Sequence, residues 1–227
     1  MKAYWYLTRS SGAVSLILLT AALVIGIALV GRVRSERWPR FAVDGIHRAV
    51  SLLAIVFLAV HILTAVFDSF APISVLDAVI PFAGAYRPVW LGLGAAAFDL
   101  LLAVTITSVV RERLGHRAWR AVHWLAYAVW PLAIVHGLGT GSDARQGWMT
   151  VIYLVCAAAF GTAVLSRVVN GWPERARLRL AAVGTLIAFA VGIAVWLPGG
   201  PFGPDWSRRA GTPPSLLPHT ASQPSPG

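Results

Sequence analysis

Residues 47–61 read HRAVSLLAIVFLAVH, and residues 123–136 read HWLAYAVWPLAIVH. Each stretch has an imidazole at both ends and little else that is polar. An imidazole in such surroundings has three ordinary uses. It bonds to a neighbouring helix, it carries a proton, or its neutral ring binds a metal. Polar groups inside a membrane are costly and tend to mark function. Which use applies therefore depends on where His47, His61, His123 and His136 stand relative to one another. His116, in a basic loop, and His219, near the C-terminus, are given no site role.

The elements that must position these rings follow from composition. The 227-residue chain is 57% hydrophobic and 12% charged, with a mean hydropathy of +0.70. That places it in the membrane class. A bilayer-spanning helix needs about 20 mostly apolar residues. Six runs qualify: 12–31, 43–67, 89–110, 121–138, 148–166 and 178–197. They leave no room for a soluble catalytic domain. The expected fold is all-α: a six-transmembrane-helix bundle over residues 1–197, then a disordered Pro-rich tail over 198–227. The tail holds eight of the fourteen prolines and lacks the apolar content to bury a core. The first run exceeds the ~7–15 apolar residues of a secretory leader and has no A-x-A site, so it reads as a retained helix. Cys156 falls inside the fifth run, with no partner for a disulfide, and reads as a packing residue. Loop two has apolar pieces too short to cross, such as VLDAVIPF, and fits a short helix lying over the outer face.

The net charge of +10 sits in loops rather than on a nucleic-acid face. Loops one, three and five hold twelve of the nineteen basic residues, and the termini with loops two and four hold six. The positive-inside rule puts loops one, three and five in the cytoplasm and both termini outside a multi-pass cell-membrane protein. Trp5, Trp90, Trp119, Trp148, Trp172 and Trp196 fall near span ends, as interfacial aromatics do.

The second and fourth spans carry the four histidines and, with one span between them, run parallel. His47 and His61 are separated by roughly 21 Å along a helix axis, and His123 and His136 by roughly 20 Å. His47 can then face His123 near the cytoplasmic side, and His61 can face His136 near the outer side. Two neutral imidazoles on facing helices can ligate one haem iron, which gives two haems, one per leaflet. Their propionates need cations: Arg48, Arg117 and Arg120 for the inner haem, Arg87 for the outer. One point of geometry resists. Thirteen residues of ideal helix rotate by about 220°, so His123 and His136 should not share a face. Pro131 lies between them and is expected to rewind the helix.

Arg113-Leu114-Gly115, Trp119-Arg120, His123, Tyr127 and His136, with the His47/His61 pair, resemble the ferric reductase-like transmembrane domain. That family includes ferric reductases, the haem core of NADPH oxidases and the haem subunit of bacterial periplasmic methionine sulfoxide reductase. Tyr86-Arg87-Pro88-Val89-Trp90-Leu91-Gly92 and Thr107-Ser108 also resemble bacterial members. The resemblance covers residues 10–170, leaving 178–197 as an extra helix. It implies a b-type dihaem bundle that moves electrons across the membrane, with His47 and His123 on the inner haem and His61 and His136 on the outer.

Relatives of the oxidase kind carry a flavin and nicotinamide domain after the bundle. This sequence has no G-x-G-x-x-G and no flavin-sized segment. The expectation is a haem-containing oxidoreductase subunit that takes electrons from a separate flavoprotein or from quinol and passes them to an extracytoplasmic acceptor or partner reductase. Two other readings remain open: a quinol-linked cytochrome b subunit, and a proton or metal transporter that uses membrane histidines. The transporter reading would favour further carboxylate or thiol ligands, and the only acid within the spans is Asp99, with Asp44 near an end.

Overall fold

Among the described residues, six helical spans are long and apolar enough to cross a membrane. The computed structural model describes residues 2–30, 39–170 and 172–217, and every regular element among them is helical. The chain is an all-α integral membrane protein. The spans are α1 (Lys2–Val30), α2 (Arg40–Phe67), α4 (Pro88–Val109), the pair α6 (His116–His123) and α7 (Ala126–Thr140), α8 (Gly147–Val169) and α9 (Ala176–Gly199). The short helices α3 (Val75–Val79), α5 (Arg111–Leu114) and α10 (Trp206–Arg209) lie outside them. His219 and the loop-one arginines Arg32, Arg34 and Arg37 lie outside the described residues.

α1 starts at Lys2 rather than at residue 12. Three of the polar residues that suggested a later start, Arg9, Ser10 and Ser11, are satisfied within the helix and by a distant loop. Ser10 and Ser11 donate to the carbonyls of Tyr6 and Leu7. Arg9 forms an ion pair with Asp143 and lies over the Trp5 ring, 3.7 Å from its centroid. The short helix expected in loop two is α3. It begins with a reciprocal cap, in which the Ser74 amide donates to Asp77 and the Asp77 amide to Ser74, satisfying two otherwise free donors.

α2 packs along α1, α4 along α7, and α1 bridges to α8 and α7. The core therefore lies between α1, α7 and α8, where Trp130 stacks on Phe160 at 4.2 Å between centroids and donates from Nε1 to Thr20 Oγ1 at 2.9 Å. Cys156 is buried there as a packing residue. α9 lays Leu186, Phe189, Ile193 and Trp196 against this core. α2 and α7 have no extensive contact with each other. The two histidine-bearing helices thus flank a gap.

The fourth span is rewound, but upstream of Pro131. The amides of Leu125, Tyr127 and Ala128 bond three residues back, to Val122, Trp124 and Leu125. Such bonds belong to a tighter helix of 3.0 residues per turn. Each residue there turns about 20° more than in an α-helix, which carries the His123-to-His136 rotation from about 220° towards a full turn. Pro131 has no amide for the Tyr127 carbonyl and crowds it, so the adjustment falls in the turn before the ring.

The C-terminal segment corrects the expected tail boundary. Residues 198–217 pack onto the end of the bundle opposite loops three and five, and residues 218–227 lie outside the described residues. Arg145 donates to the carbonyls of Pro201 and Gly203. Trp206 donates to the Gly139 carbonyl at 3.1 Å and, with Trp90 and Trp196, forms a three-ring cluster with centroids 4.9–5.6 Å apart. A segment poor in aliphatic residues is ordered here by indoles and carbonyl hydrogen bonds. Trp90 and Trp196, expected as interfacial anchors, are part of that packing.

Candidate functional site

The four rings stand in two pairs. His47 and His123 have centroids 6.5 Å apart, with ring planes at 71°. His61 and His136 have centroids 6.3 Å apart, with planes at 85°. The sequence predicted both partnerships. It did not predict what holds the rings.

His47 Nδ1 lies 3.0 Å from the Ala22 carbonyl oxygen, His61 Nδ1 2.8 Å from that of Thr8, and His136 Nδ1 2.9 Å from that of Trp90. A carbonyl has no proton to give, so each Nδ1 donates and each Nε2 keeps its lone pair. In each case a glycine stands four residues after the accepting carbonyl: Gly12 after Thr8, Gly26 after Ala22, Gly94 after Trp90. A helical Cβ leans back over the preceding turn, so a side chain there would cover the carbonyl. A Cβ built on Gly12 would meet His61 Cε1 at 2.9 Å, and one on Gly26 would meet His47 Cε1 at 3.2 Å. One on Gly94 would run into the His136 ring. The glycines let each imidazole lie on the helix and reach the second lone pair of the carbonyl. Gly12 and Gly26 are 14 residues apart, as are His47 and His61, so one two-heptad frame is written on both antiparallel helices. That spacing was the available signal for these residues.

His61 and His136 are both Nδ1–H tautomers. Each Nε2 is then an acceptor, and neither ring can hydrogen-bond the other. Between them is a cavity of about 380 Å³ that both line. Thr8 Oγ1 and Ser15 Oγ also line it and have no hydrogen-bond partner. Two facing lone pairs call for a Lewis acid. Two metal–imidazole bonds of about 2 Å each, with a ring radius of about 1 Å on either side, give roughly 6 Å between centroids, close to the separation of both pairs. Among the described residues no three of His, Cys, Asp or Glu stand close enough to hold a metal ion. A bare ion such as zinc takes three or four protein ligands. A prosthetic group whose iron already carries most of its ligands would need only the two imidazoles of each pair from the protein.

The predicted cations are distributed unevenly. Arg117 and Arg120 are exposed on α6, on the turns that carry His123. Arg48 is exposed and pairs with Asp44 at 3.3 Å. Arg87 does not line the cavity, which corrects its expected place. It is 7% exposed; Nε donates to Thr212 Oγ1 at 2.9 Å, and Nη1 to the Gly139 and Thr140 carbonyls at 3.0 Å each. Its backbone is left-handed, φ 44°, ahead of Pro88, and its amide is held by the Gly211 carbonyl at 3.0 Å. The cation that does line the cavity is Arg9, paired with Asp143. His116 lies at the exposed start of α6.

The family described as "Ferric reductase like transmembrane component" matches residues 11–134, a stretch that holds His47, His61 and His123 and ends just short of His136. A curated relative is the protein-methionine-sulfoxide reductase heme-binding subunit MsrQ of Caulobacter vibrioides, 34% identical over 117 residues, 50% of this chain and 52% of that protein. The chain spans about half the length of this relative. No solved structure matches the chain.

Proposed function

The chain belongs to the family of ferric reductase like transmembrane components, and on that premise we propose that it is a dihaem b-type electron-transfer protein of the cell membrane. His47 and His123 would hold one haem and His61 and His136 the other, each through Nε2. The observation that carries this reading is the tautomer of the outer pair: two acceptor nitrogens face one cavity, an arrangement that an interhelical hydrogen bond does not use and a metal centre does. Haem supplies reversible one-electron chemistry when bound.

The chain's own residues do the rest. The carbonyls of Thr8, Ala22 and Trp90 orient three of the rings and raise their basicity as ligands. On the basic end, which the positive-inside rule assigns to the cytoplasm, Arg117, Arg120 and Arg48 are the candidate propionate partners. On the other end Arg9 takes the part expected of Arg87. Electrons would enter from a separate flavoprotein or quinol and leave to an acceptor outside. The similarity to a subunit of a methionine sulfoxide reductase system supports a partner reductase as that acceptor.

The test is an absorption spectrum of the purified protein, oxidised and then dithionite-reduced, with haem counted per chain. Two six-coordinate b-type haems are expected, with one lost in His61→Ala and the other in His47→Ala. A colourless protein from haem-supplemented cells would overturn the proposal and return the histidines to proton or metal transport.

A further inference from the structure

Three of the four histidines rest on a bared carbonyl; His123 does not. Its Nδ1 is buried and has no hydrogen-bond partner. The reason lies on α4. Trp90 and Gly94 serve His136 there. Fourteen residues on, where the frame would serve His123, stand Val104 and Ser108. Ser108 supplies the Cβ that the three glycines lack, and its hydroxyl donates to the Val104 carbonyl at 2.6 Å. Trp119 donates from Nε1 to Ser108 Oγ at 3.2 Å, and its ring lies over that of His123, with centroids 5.0 Å apart and planes at 31°. The carbonyl that the repeat would offer to His123 is already taken, and the approach to it is covered.

We propose that Ser108 and Trp119 are positioning residues that withhold a backbone hydrogen bond from His123 and so make the His47/His123 pair the more oxidising axial set of the two. The inference rests on the dihaem reading above. A histidine whose Nδ1–H is hydrogen-bonded is a more basic ligand and favours ferric over ferrous iron. The His61/His136 pair has two such bonds and the His47/His123 pair has one. The difference arises at one step of the 14-residue frame, where Ser108 and Trp119 stand against His123.

The experiment is a potentiometric titration of the detergent-purified holoprotein, followed in the reduced absorption bands, with the component that survives in His61→Ala assigned to His47/His123. Ser108→Gly uncovers the Val104 carbonyl and leaves it, among side-chain donors, the 3.2 Å contact of Thr107, whose hydroxyl bonds the Ala103 carbonyl at 2.7 Å; it is expected to move that component to a more negative potential and leave the other in place. Ser108→Ala frees the carbonyl from the hydroxyl but keeps the Cβ, and is expected to leave both in place. Gly26→Ser, a mild intrusion against His47, is expected to move the same component positive, so a Ser108→Gly protein that fails to fold does not end the test. Equal shifts in Ser108→Gly and Ser108→Ala, or no shift in Ser108→Gly and Gly26→Ser, would overturn the inference. A wild-type protein that binds fewer than two haems would instead overturn the dihaem reading.

Discussion

A methyl group added at a site glycine should do the opposite of one added elsewhere in the bundle. Gly161 in α8 has nothing within 4 Å of an added Cβ. Gly161→Ala should stabilise the protein by about 0.5–1 kcal/mol through the unfolded chain alone. At Gly12 the added carbon meets His61 at 2.9 Å, where carbon contacts settle at about 3.5–4.0 Å. The ring must retreat by about 0.6–1 Å, and the 2.8 Å bond to the Thr8 carbonyl stretches to about 3.5 Å, beyond a useful hydrogen bond. Overpacking costs about 1–3 kcal/mol and the lost bond about 1 kcal/mol, so Gly12→Ala should be destabilising by roughly 2 kcal/mol after the unfolded-state gain. Losing the group that orients a metal-bound histidine typically lowers metal affinity about 10–100-fold. Gly26, where the contact is 3.2 Å, should show a smaller effect, and Gly94 the largest. The assay is thermal unfolding in detergent, together with haem retained per chain against a haem-accepting competitor protein. If Gly12→Ala matched Gly161→Ala in both readouts, the glycine-and-carbonyl account of ring placement would be refuted.

On the proposed reading, in which each imidazole pair holds a haem, the near-perpendicular ring planes, 71° and 85°, predict strongly anisotropic low-spin ferric signals in electron paramagnetic resonance; rhombic spectra typical of parallel planes would contradict this geometry. Arg87→Gln removes charged donors from Thr212, Gly139 and Thr140, bonds of about 1.5–3 kcal/mol each in such settings. A lower melting temperature is expected, with haem lost first from the His61/His136 pair, because Trp90 both carries the His136 contact and packs against Trp196 and Trp206. Asp143→Asn leaves the partly exposed Arg9 without its charge partner beside the cavity and should cost about 1–2 kcal/mol, seen as a fall in melting temperature that Arg9 and Asp143 changed together partly recover.

The spans were legible because a run of apolar residues of the right length has few alternatives. Their ends were less so. Thr8 escaped notice because Arg9 and the serines around it look like the edge of a membrane run. Asp143, more than a hundred residues away, makes that charge tolerable inside α1. The glycines were visible as a 14-residue spacing, but the spacing acquires meaning only once α1 lies antiparallel to α2 and the His47/His61 frame falls on it. Arg87 was assigned by its depth in the sequence. Its guanidinium goes instead to acceptors on α7 and to Thr212, which no local pattern connects to it. The stretch 198–217 was judged by its prolines, whereas Trp206 and the carbonyls that receive Arg145 order it.

What the sequence by itself determined is an all-helical membrane bundle with two imidazole pairs at two depths. A lipid environment requires each spanning segment to satisfy its own backbone, and helix rise turns residue spacing directly into depth. The tertiary structure alone decided which nitrogen of His47, His61 and His136 carries the proton, which cation stands beside the cavity, and which histidine goes without a carbonyl. Those properties are set by single atoms on neighbouring helices, within about 3 Å, and distance along the chain carries no information about them.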